Sequence, residues 1–143
     1  MTSEASSNIT RIGEHTVAFE PPDICVVRLG ETMTAEEGFA IYAEELRLAE
    51  KHGEIFLLGD CSRLRTIAPD ARKVSAEMTP TPLIVGIVYF GISFHVRVLT
   101  TLVMTLRRLA NRPVDRQVII VADEADARAA IARLRRERKE KSG

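Results

Sequence analysis

The feature that most constrains the fold of this chain is a long apolar stretch spanning residues 82–111. The pattern predicts a buried strand over residues 83–90, a break at Gly91 and a long helix over residues 92–110. Arg97, Arg107 and Arg108 fall on the side of this helix opposite its apolar face. The side chains at helical spacing on the apolar face are Ile92, Val96, Leu99, Val103 and Leu106, and Phe94, Val98 and Leu102 widen it on one side.

The apolar arc of this helix is wider than contact with one sheet requires. Three interpretations follow: a core helix lying flat on a sheet, a helix whose surplus arc covers a dimer interface or an apolar ligand, or a transmembrane span. The span is the weakest, because Gly91, His95 and Arg97 interrupt the stretch. An arginine near the centre of a span costs about 2.5–3.5 kcal/mol on insertion scales.

Length and composition bound the remaining possibilities. A chain of 143 residues is long enough for one domain with its own core. The 20 basic and 20 acidic residues balance, and Trp is absent, so neither bulk attraction to nucleic acid nor base stacking is indicated. The polar N-terminus lacks the apolar segment of a signal peptide, and Cys25 and Cys61 lack metal-ligand spacing. We therefore expect a cytoplasmic protein with reduced thiols, no metal site and no cofactor.

Turn and cap signals divide the chain into a strand hairpin followed by alternating helices and strands. We expect a disordered leader over residues 1–12, a single domain over 13–138 and a charged tail over 139–143. The predicted order is β-β-α-β-α-β-α-β-α, a single-domain α/β fold with a mixed sheet. Thr34 and Glu37 have capping-box spacing at the start of the first helix. The stripe that we expect to face the core from this helix is Phe39, Tyr42, Ala43, Leu46 and Ala49.

Polar residues follow the predicted parallel strands at their carboxyl ends, where sites in open α/β sheets usually lie. They are Asp60, Cys61 and Ser62, then Ser93 and His95, and finally Asp123. A thiol or serine hydrolase can be imagined from this set, but no nucleophile motif is present. Turn and cap roles for Asp60 and Ser62, and an inert buried thiol for Cys61, explain the same residues more simply.

Three segments together resemble the SpoIIAA-like branch of the STAS superfamily, also described as STAS/SEC14-like. They are EIFLLGDCSRLRTIAPDARKV, TPTPLIVGIVYFG and QVIIVADEADARAAIARLR, within a resemblance that covers about residues 14–136. The resemblance implies a mixed sheet with helices packed on it, no catalytic centre and a role in protein interaction. In the anti-anti-sigma factors of this superfamily, a strand ending in D-L-S precedes I-D-S-x-G, whose serine is phosphorylated. Asp60-Cys61-Ser62 matches the first element, but Pro69 stands where that serine would be, so the switch cannot operate there.

These observations predict a non-enzymatic interaction or signalling module. We expect it to self-associate, or to bind a signalling partner, through the surplus arc of the long helix, with Phe94, Val98, Leu102 and Met104 as the contact surface. The SEC14-like side of the resemblance implies the alternative, a lipid or other small apolar ligand beside the same helix. A hydrolase using Cys61 or Ser62 with His95 is a distant third hypothesis.

Overall fold

The computed structural model describes residues 9–78, 81–109 and 118–142. Its strands are β1 (Ile9–Ile12), β2 (His15–Glu20), β3 (Ile24–Arg28), β4 (Thr32–Met33), β5 (Ile55–Asp60), β6 (Thr66–Ile67), β7 (Ile84–Phe90) and β8 (Val118–Val121). Its helices are α1 (Ala35–His52), α2 (Pro69–Glu77), α3 (Phe94–Leu109) and α4 (Glu124–Ser142).

Within the described residues, the main sheet has six strands in the order β1-β2-β3-β5-β7-β8. The β1–β2 and β2–β3 pairs are antiparallel, whereas β3–β5, β5–β7 and β7–β8 are parallel. The mixed α/β sheet with an N-terminal hairpin and alternating helices and strands is thus as predicted. Two-residue strands β4 and β6 form a separate parallel pair that the sequence analysis did not predict.

The predicted leader needs correction at its boundary, and the predicted tail proves to be part of a helix. Residues 9–12, assigned to a disordered leader, form β1, which pairs with β2, and the Thr10 hydroxyl donates to Glu44 on α1 at 2.8 Å. Residues 1–8 lie outside the described part of the chain. The expected charged tail over 139–143 is helical through Ser142 as the end of α4. In the preceding turns of this helix, Arg138 donates to Glu54 at 2.9 Å and Arg133 lies 3.8 Å from Glu137.

The predicted helix boundaries have the expected chemistry. The Thr34 hydroxyl accepts from the Glu37 backbone N–H at 3.1 Å, and the Glu37 carboxylate accepts from the Thr34 N–H at 3.0 Å, which is the predicted capping box. Gly53 follows α1, and Pro69 begins α2 at the first helical position. Gly91 has a φ of +74°, and this left-handed backbone separates β7 from α3.

The core lies on both faces of the sheet. One face is covered by helix α4 through Ala127, Ile131 and Leu134, which pack on the inner strands. Helix α4 forms two salt bridges with this part of the sheet. Arg128 pairs with Glu20 at the end of β2, and Arg135 pairs with Asp23 in the turn that follows β2. Helices α1 and α3 contribute buried side chains to the cluster on the other face.

Helix α1 faces the sheet with a different stripe from the one predicted. Of the predicted stripe, Ala49 is buried and Tyr42 and Leu46 are half-buried, but Phe39 is 53% exposed and Ala43 is exposed. The other buried residues of the helix are Ile41 and Leu48, which were not predicted. The helix is turned by about one residue, or about 100°, relative to the predicted stripe. This rotation brings Glu45 to the sheet side.

Helix α3 lies mainly against α2 and the short strand β6, not flat across the sheet. Val96 and Leu99 are buried as predicted, and Val103 is half-buried. Arg107, which we expected on the polar side, is also buried. The predicted end of this helix, Ala110, lies outside the described residues.

Candidate functional site

The carboxyl ends of the parallel strands meet as predicted and place Asp60 at the centre of a polar turn. One oxygen of its carboxylate accepts from the Ser62 backbone N–H at 3.0 Å and from the Ser62 hydroxyl at 2.6 Å. The other accepts from Arg28 at 2.9 Å. Burial alone would raise the pKa of Asp60, but the hydrogen bonds from Ser62 and Arg28 outweigh it and hold this pKa below its ordinary value. Asp60 is therefore an ionised turn residue.

Cys61 points away from this turn into the core and is 4% exposed. Burial, followed by the negative charge of Asp60, raises the pKa of Cys61 to about 12. A thiol with this pKa is almost wholly protonated near neutral pH, and the thiolate is the nucleophilic form. The geometry therefore does not favour the third hypothesis, a hydrolase with Cys61 or Ser62 as nucleophile, because the Ser62 hydroxyl also donates to Asp60.

The remaining predicted polar residues separate into cap and groove positions. The Ser93 hydroxyl accepts from the Val96 N–H at 3.2 Å, and Asp123 accepts from the Asp126 N–H at 2.9 Å, so each caps a helix. His95 is exposed. A shallow groove of about 590 Å³ brings Ser62, Ser93 and His95 together, and its remaining lining residues are Glu31, Arg63, Leu64 and Arg65. Asp60, Cys61 and Asp123 are not part of its lining.

The predicted contact surface on α3 is largely open to solvent. Phe94 is 83% exposed, Val98 52% and Leu102 42%, whereas Met104 is half-buried on another side of the helix. Leu109, 79% exposed, extends the same row at the other end. We call Phe94, Val98, Leu102 and Leu109 the α3 stripe. Among residues 9–78, 81–109 and 118–142, no helix is both long enough and apolar enough to cross a membrane.

A cavity that the sequence analysis missed lies between the sheet and helices α1, α2 and α3. Its volume is about 210 Å³. The apolar part of the lining comes from the sheet, from α1 and from two methionines: Val27, Leu29, Met33, Ile41, Leu57, Met78, Ile84 and Ile87. The other lining residues are Gly38, Tyr42, Glu45, Gly59, Ser75, Tyr89 and Arg107.

Two of the polar lining residues have defined positions. The Tyr89 ring lies over Gly59 on the neighbouring strand, where an added Cβ would come within 2.4 Å of the ring. Arg107 reaches from α3 to the end of α2, where its Nη1 donates to the Ser75 and Met78 carbonyls at 2.9 and 2.6 Å. This guanidinium satisfies carbonyls at the carboxyl end of α2, the end that a helix dipole makes negative.

Glu45 is the polar group with the most unusual surroundings in this cavity. Its side chain is half-buried and lines the cavity. Burial raises the pKa of Glu45 to about 8. Burial also raises the pKa of Tyr89 and of Cys25, and the charge of Glu45 contributes to both. The four helix α1 positions that line the cavity, Gly38, Ile41, Tyr42 and Glu45, recur at helical spacing; this was the signal available in the sequence.

The described residues contain no group of three or more metal-ligating side chains that could hold an ion.

Comparisons with known proteins concern the fold. A scan against protein-family models and a search of curated proteins each find no match. Among solved structures, the chain is similar to an uncharacterized protein of the DUF3478 family with a SpoIIAA-like fold from Shewanella loihica PV-4. The two share 16% sequence identity with a TM-score of 0.46, over 78% of this chain and 86% of that chain. A likeness of this strength carries no information on function.

Proposed function

We propose that this protein is a non-enzymatic interaction module that associates with a second copy of itself through the α3 stripe. The observation that carries the proposal is the exposure of Phe94, Val98 and Leu102, which are 83%, 52% and 42% exposed at successive four-residue steps. Single exposed apolar side chains are ordinary, but a contiguous row on one helix is typical of an interaction surface.

The order of residues along the stripe suits a two-fold contact. In an antiparallel pairing of two copies of α3, Phe94 at one end packs on Leu109 of the second copy, and the two Leu102 side chains meet near the axis. A two-fold interface needs such a self-complementary patch, because the same surface serves both subunits. The exposed polar residues Arg97, Thr101 and Arg108 flank the stripe and would form the polar rim.

The expected association is moderate. Full burial of a Val, Leu or Phe side chain contributes about 1.5–3 kcal/mol, and association costs about 4–15 kcal/mol in lost freedom of motion. The eight side chains of the two copies, each only partly exposed beforehand, contribute on the order of 10 kcal/mol, which exceeds the lower part of this cost, so we expect a weak dimer with a dissociation constant of about micromolar or above. A module of this kind acts in the cytoplasm, a placement supported by the free, buried thiols of Cys25 and Cys61.

The alternative occupant of the stripe is a lipid-like apolar molecule, which would hide the same side chains without a second copy. Native mass spectrometry of freshly purified protein separates the two, because it reports the oligomer mass and any bound adduct in one spectrum. A dimer without an adduct supports self-association, and a monomer carrying an apolar adduct contradicts it.

The direct test is sedimentation velocity over a concentration series from about 1 to 100 μM, which brackets the expected dissociation constant. We expect Leu102→Asp to abolish the concentration-dependent dimer while the circular dichroism spectrum stays unchanged. Phe39→Asp is the matched control, because Phe39 is 53% exposed on α1, away from the stripe. A wild-type monomer throughout the series, or a dimer that survives Leu102→Asp, would rule out the proposed interface.

A further inference from the structure

The cavity beneath α1, α2 and α3 has the features of a small-molecule site. Ligand sites are concave, mainly apolar and supplied with a few convergent polar groups. Here the aliphatic lining surrounds the Glu45 carboxyl, the Tyr42 and Tyr89 rings and Arg107. This site is separate from the α3 stripe, none of whose residues is in the lining, so it does not depend on the proposed self-association.

The hydrogen bonding of Glu45 differs from that of its neighbour Glu44. The described residues offer it no hydrogen bond or salt bridge, whereas its neighbour Glu44 binds both Thr10 and Arg47. Glu45 is half-buried and lines the cavity, so its side chain is accessible to a molecule that enters the cavity. A polar group of a ligand placed beside Glu45 would supply the missing partner.

The charges around the cavity favour a neutral ligand. Tyr42, Tyr89 and Arg107 line the cavity with Glu45, and the buried thiol of Cys25 on β3 lies close enough to Glu45 to feel its charge. Glu44 and Cys61 are the further ionisable groups that act on Cys25 and on Tyr89. Burial keeps the thiol of Cys25 and the phenol of Tyr89 protonated, and the Arg107 side chain in the lining is cationic. A cationic ligand would have to be desolvated beside a neutral carboxyl and near this guanidinium, which is costly.

The cavity volume limits the size of the ligand. An apolar cavity of about 150 Å³ is known to accept benzene, so about 210 Å³ accommodates about eight non-hydrogen atoms. A two-chain lipid is far too large for this space.

We propose that this cavity binds a small, neutral, amphipathic molecule whose apolar body lies among the aliphatic side chains and whose hydroxyl or carbonyl group hydrogen-bonds to Glu45. The carboxylic acid can donate one hydrogen bond and accept others, so it recognises either group. The α1 residues Ile41 and Tyr42 lie one turn before Glu45 and form the wall beside the bound polar group.

The test uses probes of one shape that differ in a single group: benzyl alcohol, ethylbenzene, benzylamine and benzoate. Each is titrated into the full-length, ¹⁵N-labelled protein at pH 6.5, and its dissociation constant is taken from amide chemical-shift changes. We expect benzyl alcohol to bind with the largest shifts at the lining residues of α1 and β7. Tighter binding of benzylamine or of benzoate than of benzyl alcohol would overturn the assignment to a neutral ligand.

Two substitutions then test the role of Glu45. Glu45→Gln keeps a donor and an acceptor, so the preference for benzyl alcohol over ethylbenzene should stay within about threefold of wild type. Glu45→Leu removes both, and the preference should fall about tenfold, the typical effect of one hydrogen bond in a buried site. If Glu45→Leu does not fold, Glu45→Gln and the probe series alone decide the question. An unchanged preference in Glu45→Leu, or no shift of lining residues with any probe, would refute the proposed site.

Discussion

The unfolding free energy of this protein should depend on pH through Glu45, and Glu45→Gln should remove that dependence. Burial raises the pKa of Glu45 in the folded protein from its ordinary value of 4.5 to about 8. Below pH 4.5 the carboxyl is protonated in both states. Between pH 4.5 and 8 the unfolded chain loses this proton while the folded protein keeps it, so the folded state binds more protons and stability falls as pH rises. Above about pH 8 this contribution levels off.

The size of the effect follows from the same interval. Between pH 4.5 and 8, each pH unit lowers the unfolding free energy by at most about 1.4 kcal/mol through Glu45. Over the whole interval, the loss of unfolding free energy can therefore reach about 4–5 kcal/mol. Water that enters the cavity would lower the penalty, and we expect at least about 2 kcal/mol between pH 5 and pH 8.5. Gln is of similar size and does not ionise, so the variant should lose little stability at pH 5 and exceed wild type at pH 8.5.

Urea denaturation followed by circular dichroism at several pH values between 5 and 8.5 measures this difference. Other titrating groups cancel when the Glu45→Gln curve is subtracted from the wild-type curve. Glu50→Gln, at an exposed position in the same helix, is the matched control and should track wild type. Wild-type and Glu45→Gln stabilities that run parallel within about 0.5 kcal/mol would show that Glu45 is not held neutral by burial.

Three further substitutions or measurements probe the turns and the strand ends. Gly91→Ala should destabilise the protein by about 1–3 kcal/mol, because φ is +74° and the added Cβ would lie 2.9 Å from the Cα of Ser62. Gly53→Ala should cost less, because Gly53 also has a positive φ, +90°, but has open space around it. Equal losses of unfolding free energy in urea denaturation would contradict the predicted clash at Gly91. Thr34→Ala removes the capping box of α1 and should lower the unfolding free energy by about 0.5–2 kcal/mol in the same assay, whereas Thr34→Ser should lower it little. An unchanged urea midpoint in Thr34→Ala would show that the cap is not needed. At pH 7, iodoacetamide should alkylate Cys61 far more slowly in the native protein than in urea, and rapid native labelling would contradict a buried, protonated thiol.

Local signals in the sequence were sufficient for the central strands of the sheet and for the strand-end turn, but not for β1 or for the β4–β6 pair. Short apolar runs bounded by turn residues predicted β5 and β7, and the alternation of strands with helices predicted their parallel pairing. Asp60 and Ser62 were predicted to be turn residues, and the hydrogen bonds between them have that role. The exposure of Phe94 followed from the excess width of the apolar arc on α3.

The cavity could not be predicted in the same way, because it depends on contacts between distant segments. A stripe through Phe39 and a stripe through Ile41 are both plausible faces of α1, and only packing against the sheet selects the second. From the sequence alone, Glu45 is expected to face solvent; only the stripe through Ile41 places it towards the sheet. Arg107 likewise reads as polar surface, since its partners are carbonyls at the end of α2, about thirty residues earlier in the chain.

The central claim, that two copies meet through the α3 stripe with Leu102 at the axis, is tested most directly by disulfide cross-linking. Leu102→Cys places one thiol from each copy near the two-fold axis, and the native cysteines are buried. Under mild oxidation at micromolar concentration, we predict a reducible covalent dimer for Leu102→Cys and little dimer for Phe39→Cys, where the new thiol is equally accessible. Equal cross-linking of the two variants, or none with Leu102→Cys, would contradict the proposed interface.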